Sequence, residues 1–419
     1  MPVRPPDSHT SARPLSVGLY VHIPFCRRKC HYCDFVSFAG REDLWTAYVE
    51  VVAREILAMP PLLPRTLYVG GGTPSLMPPE LLASLIAAAY RVGLSRDAEA
   101  TIEANPGTVT LEGLSALRQA GYNRLSLGLQ STFNTYLRLL GRAHSHGEAV
   151  RAFRWAREAG FENLNVDMIY GLPGQSLSGW LADLRRALAL GSEHLSAYAL
   201  SLEEGTPLER AVSRGALPRP DDDLQADMYE ATEETLAAAG YQHYEISNWA
   251  RPLPQPLPEA GRGTPPCRGR EGGLGGTCSS AWGVRSLTCQ HNLIYWRNEP
   301  YVGLGTAAHS FLGGQRFARI ADPAAYVAAA PAARVAYRET IARPLEMAET
   351  AMLGLRLVAG LARSRFRGRF GVEPLEAYRE PLLWAEGMGL LELVGDCLRL
   401  TRRGRLLSNE VFQCLLPDD

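Results

Sequence analysis

Cys26, Cys30 and Cys33 form a C-x3-C-x2-C run, three thiols within eight residues and no fourth beside them. Cysteine thiolates are the usual ligands of iron–sulfur clusters, and three of them suit a [4Fe–4S] cube with one iron left open. A structural zinc site asks for four ligands, usually from two spaced pairs. His31 lies between Cys30 and Cys33, a poor position from which to complete one ion's shell. The run therefore predicts a cluster with an open corner, which is a reaction site. Arg27, Arg28 and Lys29, the last the only lysine in the sequence, sit inside the run. Positive charge there favours thiolate; the alternative reading is a solvated basic loop.

These residues need a frame, and the flanking sequence supplies one. From Leu15 to about Leu202, short β-like runs alternate with amphipathic helical runs. Strands are predicted at Gly18–Ile23, Thr66–Gly70, Ala100–Ala104, Arg124–Gln130, Asn165–Tyr170 and His194–Leu200. Helices are predicted between them, as at Leu44–Met59, Pro79–Val92, Leu111–Ala120, Gly147–Ala159 and Ser178–Leu190. Thr110 and Gly121 are a suitable cap and stop for the third of these. Six β-α units in series give an α/β fold, either an open barrel or a doubly wound sheet. In α/β barrels the C-terminal strand ends and the loops after them build the site. The chemistry-bearing residues fall there: the cysteines after strand one, Gly70-Gly71-Gly72-Thr73-Pro74 after strand two, Glu103 in strand three, Gln130 closing strand four and Asp167 in strand five.

Gly18-Leu19-Tyr20-Val21-His22-Ile23-Pro24-Phe25, followed by the three cysteines, resembles the radical S-adenosylmethionine superfamily. More narrowly, it is similar to the branch that holds oxygen-independent coproporphyrinogen III dehydrogenase and the related haem chaperones. The resemblance runs from about Leu15 to the C-terminus with one interruption. It implies a partial (β/α)6 barrel in which S-adenosylmethionine chelates the open iron and is split by one electron to a 5′-deoxyadenosyl radical. By matching positions, it implies S-adenosylmethionine contacts at Tyr20, Tyr32, Gly71, Gly72, Thr73, Glu103, Gln130, Arg142 and Asp167, some of them to a second such molecule. Arg142 can hold a carboxylate bidentately. Asp167, within a strand, needs a partner, which Arg142 or a cationic ligand could supply.

Two features depart from the dehydrogenase. That enzyme carries a further cysteine where this protein has Phe35, and a longer segment before its first strand. In their place stands His291-Asn292-Leu293-Ile294-Tyr295-Trp296, an H-N-x-x-Y-W run that resembles the haem chaperones' hallmark. Histidine can ligate haem iron, and Tyr and Trp offer flat apolar surface. Without the resemblance, an aromatic pair beside a histidine is more often a core cluster. His291, Asn292, Tyr295 and Trp296 are thus the haem-binding candidates, with His309 a weaker one. The expected function is uptake of haem and its transfer to haem-requiring proteins; the alternative is radical decarboxylation of coproporphyrinogen III to protoporphyrinogen IX. The resemblance further allows an electron donor, peripheral membrane association and a homodimer.

The sequence has 419 residues, 46% of them apolar, and a net charge of −1, enough for a large domain plus a smaller one. Near-neutral charge gives no reason to expect nucleic acid. Eight cysteines, three of them clustered, do not form a secreted disulfide framework, and cluster thiolates point to the cytoplasm. Residues 1–14 contain no apolar run and read as a disordered N-terminus. The barrel is assigned to 15–250. Between 252 and 276, 13 of 25 residues are Pro or Gly, so 251–288 reads as a disordered insert. Its Cys267 and Cys278 are too far apart and too loosely set for a metal pair. Residues 289–344 hold the H-N-x-x-Y-W run and a connection. Residues 345–419 read as a small winged-helix-like domain, whose 10 Arg against 11 Asp and Glu argue against DNA.

Overall fold

A computed structural model describes residues 14–253 and 287–417. The expectations for nearly all of 1–14 and for most of the 251–288 insert, including Cys267 and Cys278, lie outside the described residues. Six parallel strands follow one another: β1 (Leu15–Ile23), β2 (Leu62–Gly71), β3 (Glu99–Ala104), β4 (Arg124–Gln130), β5 (Asn163–Tyr170) and β6 (His194–Ala199). Helices such as Trp45–Leu57, Pro79–Arg91 and Leu111–Ala120 connect them. The Thr110 hydroxyl caps the last of these on the Gly113 amide at 3.0 Å, and Gly121 ends it with φ of 122°.

The sheet remains open, and both edges are extended. Past β6 come β8 (Asn248–Ala250) and β7 (Gln242–Glu245), antiparallel. On the other edge β9 (Tyr301–Leu304) pairs parallel with β1, and β10 (His309–Leu312), β11 (Gln315–Arg319) and β12 (Val335–Thr340) follow in a meander. A partial barrel results. Its outer side is conventional: Ile102, Leu125, Leu127, Val166, Met168 and Leu195 are buried in the main core. Its inner side is not. The alternate residues Thr101 and Glu103, Arg124 and Ser126, Asn165 and Asp167, His194 and Ser196 are polar, and the sheet register sets them level with one another. The barrel therefore encloses a polar interior instead of aliphatic layers.

Beyond the sheet, the C-terminal segment packs helices, beginning with Arg343–Leu355, around a separate antiparallel sheet of β13 (Leu361–Ala362), β15 (Cys397–Leu400) and β14 (Leu391–Val394). This winged-helix-like unit has its own core of Leu355, Phe366, Leu382 and Leu398. Backbone bonds fasten it to the barrel edge, from the Ile246 amide to the Arg356 carbonyl at 3.1 Å and from the Val358 amide to the Tyr244 carbonyl at 3.0 Å. Among the described residues no helix is long and apolar enough to cross a membrane.

Candidate functional site

The cysteine loop leaves β1 and is held by two layers of backbone bonding. The Cys26 amide donates to the Phe38 carbonyl at 2.9 Å, and the amides of Gly72 and Thr73 reach across to the Ile23 and Phe25 carbonyls, each at 2.8 Å. A side chain at Gly72 has no room: a Cβ there would stand 2.8 Å from both of those carbonyl oxygens. The glycine run is thus required by close approach. Since the Gly71 amide also donates to Glu103 at 2.9 Å, the amides of residues 71–73 are all committed. The backbone carbonyls this turn offers a ligand are acceptors, which suits an ammonium or sulfonium group, while the Thr73 hydroxyl accepts from Asn105 at 2.6 Å and lies 3.5 Å from the Cys26 sulfur.

Cys26, Cys30 and Cys33 are free thiols that line one pocket of about 450 Å³ at the C-terminal strand ends. Tyr32, Gly71, Gly72 and Thr73 share its wall, as do Glu103, Gln130, Arg142 and Asp167. Tyr20 does not: its hydroxyl meets His22 Nδ1 at 2.9 Å, and its ring lies 6.2 Å from that of Tyr68. His31 turns away from the sulfurs, its Nδ1 bonded to the Leu139 carbonyl at 2.9 Å. Among the described residues no three His, Cys, Asp or Glu side chains converge to hold a single metal ion. Three free thiols spread around one pocket fit a larger body, the iron–sulfur cube. Burial raises the Cys26 and Cys33 thiols above their ordinary pKa, a cost that iron ligation offsets by deprotonating them.

Each remaining wall residue has a definite setting. Arg142, almost fully buried, donates to the Gly128 carbonyl at 2.7 Å and to Asn105, and lies 3.5 Å from the Cys30 sulfur. Of the cations the sequence offered inside the run, Arg28 and Lys29 line the same pocket, and Arg28 donates to the Arg142 carbonyl. Arg142 does not pair with Asp167, which accepts instead from Ser126 at 3.0 Å and Asn165 at 2.7 Å. Burial raises the Asp167 carboxyl despite these donors. Glu103 accepts from the Tyr68 hydroxyl at 2.7 Å as well as from Gly71. Burial, with the Asp167 charge adding to it, pushes the Glu103 carboxyl up to about 7. Gln130 stands at a β-bulge with φ of 67°, a left-handed conformation that few non-glycine residues adopt and that aims its amide into the pocket.

Sequence reasoning missed the floor. Arg124, 2% exposed, faces this pocket with no side-chain hydrogen bond among the described residues, alongside Ser126, Asn165 and Ser196. The signal was present: polar residues recurring at every second position of β3 to β6 mark a face turned toward something other than core.

The helix Gln290–Trp296 closes the barrel from the opposite, N-terminal side. The Glu99 carboxylate accepts from the Gln290 and His291 amides, each at 2.9 Å, at the positive end of the helix. Gly18 on β1 leaves the space it needs, since a Cβ there would lie 2.8 Å from Ile294. His291 is 1% exposed. Its Nδ1 meets the Thr66 hydroxyl at 2.7 Å, its Nε2 meets Tyr295 at 2.9 Å, and its ring stacks on Tyr68 at 5.2 Å. Burial, reinforced by the Arg124 charge, holds the imidazole down at about 3. In this conformation neither nitrogen is open to iron. The H-N-x-x-Y-W residues therefore part company: Asn292 reaches the cysteine pocket, His291 and Tyr295 bond to each other, and Trp296 lines a second cavity. His309 is exposed at the start of β10, on neither wall.

An incomplete parallel barrel with three free thiols at its C-terminal mouth and a polar interior defines a radical S-adenosylmethionine protein. The family model of the Radical SAM superfamily matches residues 20–187, and that of the HemN C-terminal domain matches 342–407. The haem chaperone HemW of Lactococcus lactis is 33% identical over 96% of this protein and 97% of its own length. That of Mycobacterium tuberculosis is 37% identical over 95% and 94%, and that of Escherichia coli 33% over 96% and 98%. The solved structure of coproporphyrinogen III oxidase (HemN) from E. coli superposes with a TM-score of 0.77 at 22% identity, covering 97% of this protein and 91% of that one. Within the superfamily, the protein belongs to the family of the haem chaperone HemW.

Proposed function

We propose that this protein takes up haem and hands it to haem-requiring proteins in the cytoplasm, with a [4Fe–4S] cluster and exchangeable S-adenosylmethionine at the cysteine mouth. Cys26, Cys30 and Cys33 would hold the cluster; the Gly71–Thr73 turn, Glu103, Gln130 and Asp167 would hold the nucleoside. One-electron reduction of a sulfonium is the chemistry such a cluster supplies when bound. The residues here do the positioning. The turn and the two carboxylates present acceptors to a cation, while Arg142 fixes the wall beside Cys30.

One observation carries the reading: proteins alike over nearly the whole length bear the name haem chaperone. The end of the cysteine run agrees with it. Phe35, 63% exposed, stands at the rim of the pocket where the resemblance places a fourth cysteine in the dehydrogenase. The test is anaerobic reconstitution followed by haem titration, with coproporphyrinogen conversion and 5′-deoxyadenosine release measured on the same sample. Stoichiometric haem uptake without conversion is expected. Efficient conversion would overturn the proposal.

A further inference from the structure

A second cavity lies apart from the cysteine pocket. A cleft of about 920 Å³ lies between the N-terminal strand ends, the helix Gln290–Trp296 and the C-terminal domain. That volume is at the upper end of small-ligand sites. Its wall is largely apolar: Leu293 and Trp296 from the helix, Leu357, Ala359 and Leu361 from the segment entering the small domain, and Phe366 beyond. The indole Nε1 of Trp296 is buried without a hydrogen-bond partner among the described residues. The backbone bonds at Tyr244 and Ile246 brace the side formed by residues 356–358.

The charge at one end of the cleft is unbalanced. Arg65 and Arg365 both pair with the single carboxylate of Glu299. Arg297 stands in the same field, repelled by both, and makes no side-chain hydrogen bond or ion pair among the described residues. Three guanidiniums around one carboxylate leave an excess of two positive charges, and two of the three, Arg297 and Arg365, line the cleft. Arg369, a further lining residue, is already neutralised by Glu346. On the barrel side the acidic lining residues are Asp97 and Glu99, the latter with its carboxylate held by the helix amides away from the arginine cluster's ion pairs. An apolar slot ending in the unpaired Arg297 and in Arg365, which shares its one carboxylate partner with Arg65, matches a flat apolar molecule that carries two carboxylates at one edge.

We propose that this cleft seats the haem, with the macrocycle against the apolar wall and the two propionates on Arg297 and Arg365. The inference rests on the haem-chaperone reading and locates its cargo at the barrel end opposite the cluster. It also says how the tetrapyrrole is held. The cleft's described walls offer a tetrapyrrole two guanidiniums for its carboxylates and an apolar surface for the ring face.

The test uses the full-length protein and three probes: hemin, iron-free protoporphyrin IX, and protoporphyrin IX dimethyl ester. Each is titrated by absorbance and tryptophan quenching into wild type, Arg297→Glu, Arg297→Gln and Ala359→Trp. Arg297 is exposed and unbonded, so its variants are expected to melt like wild type. Hemin and the iron-free acid should bind within about threefold of each other, and the diester about tenfold or more weaker. Arg297→Glu and Ala359→Trp should each weaken hemin by about tenfold or more, with Arg297→Gln between. Equal binding of acid and diester, or variants that bind as wild type does, would refute the location while leaving the chaperone reading intact. Absence of any tetrapyrrole uptake by wild type would defeat both.

Discussion

The two ends of the barrel are built on opposite principles. At the C-terminal mouth almost every polar group that holds the site is bonded to another: Gly72 and Thr73 to the β1 end, Glu103 to Tyr68 and Gly71, Arg142 to Gly128 and Asn105. At the N-terminal face the cleft wall is largely apolar, and among the described residues Arg297 is unbonded and Trp296 lacks a partner for its indole N–H. A preorganised polar cage suits a resident cofactor whose reacting atoms must be placed closely. A loose apolar slot with an unpaired cation suits a cargo that must also leave. The helix Gln290–Trp296 separates the two, with Asn292 on one side and Trp296 on the other.

Several substitutions break or sharpen this contrast. The largest effect belongs to the cysteines. Replacing Cys26, Cys30 or Cys33 by Ala should abolish the cluster, taking bound iron from about four atoms per protein to near zero. Iron and sulfide analysis after anaerobic reconstitution reads this directly. Next is the dividing helix. His291→Ala removes a buried imidazole and leaves the Thr66 and Tyr295 hydroxyls unpaired, so thermal melts should show a loss of about 2–4 kcal/mol. Haem spectra of this variant therefore need a melting curve beside them.

Acid should reveal the same histidine. Its folded-state pKa, about 3, lies below the ordinary 6.5, so the neutral ring is the form the fold favours. That contribution is complete above pH 6.5 and lost as pH falls toward about 3. Wild type should lose stability over this window, and His291→Gln should lose less. The smallest effect concerns Glu103. Its folded pKa of about 7 lies above the ordinary 4.5, so its stabilising contribution is complete below pH 4.5 and lost as pH rises through about 7. Over the upper part of that range the carboxylate forms and can attract a cation. S-adenosylmethionine affinity should rise several-fold between about pH 6 and pH 8 in wild type and stay flat in Glu103→Gln, as isothermal titration can show.

Sequence pattern and structure agree where periodicity is strong. The β4 and Leu111–Ala120 boundaries coincide with expectation, and the other barrel elements shift by a few residues at most, the largest being β2, which starts at Leu62 instead of Thr66. The cysteine loop and the Gly71–Thr73 turn were legible because spacing and glycine content constrain them locally. Arg124 was not, because a lone Arg opening an apolar strand is read as its edge until the register sets it beside Thr101 and Asn163. The H-N-x-x-Y-W run showed which residues belong together but not that a one-turn helical spacing makes His291 and Tyr295 bond to each other, or that Trp296 faces elsewhere. The Arg65–Glu299–Arg365 cluster joins three distant stretches of sequence and has no local signature at all.

The separation of the two mouths is most directly tested by titrating hemin into the Cys26→Ser, Cys30→Ser, Cys33→Ser triple variant beside cluster-loaded wild type. Equal haem affinity within about threefold is the expected result, since the cargo and the cluster occupy opposite ends of the barrel. Loss of haem binding together with the cluster, in a variant that still melts as wild type does, would contradict it.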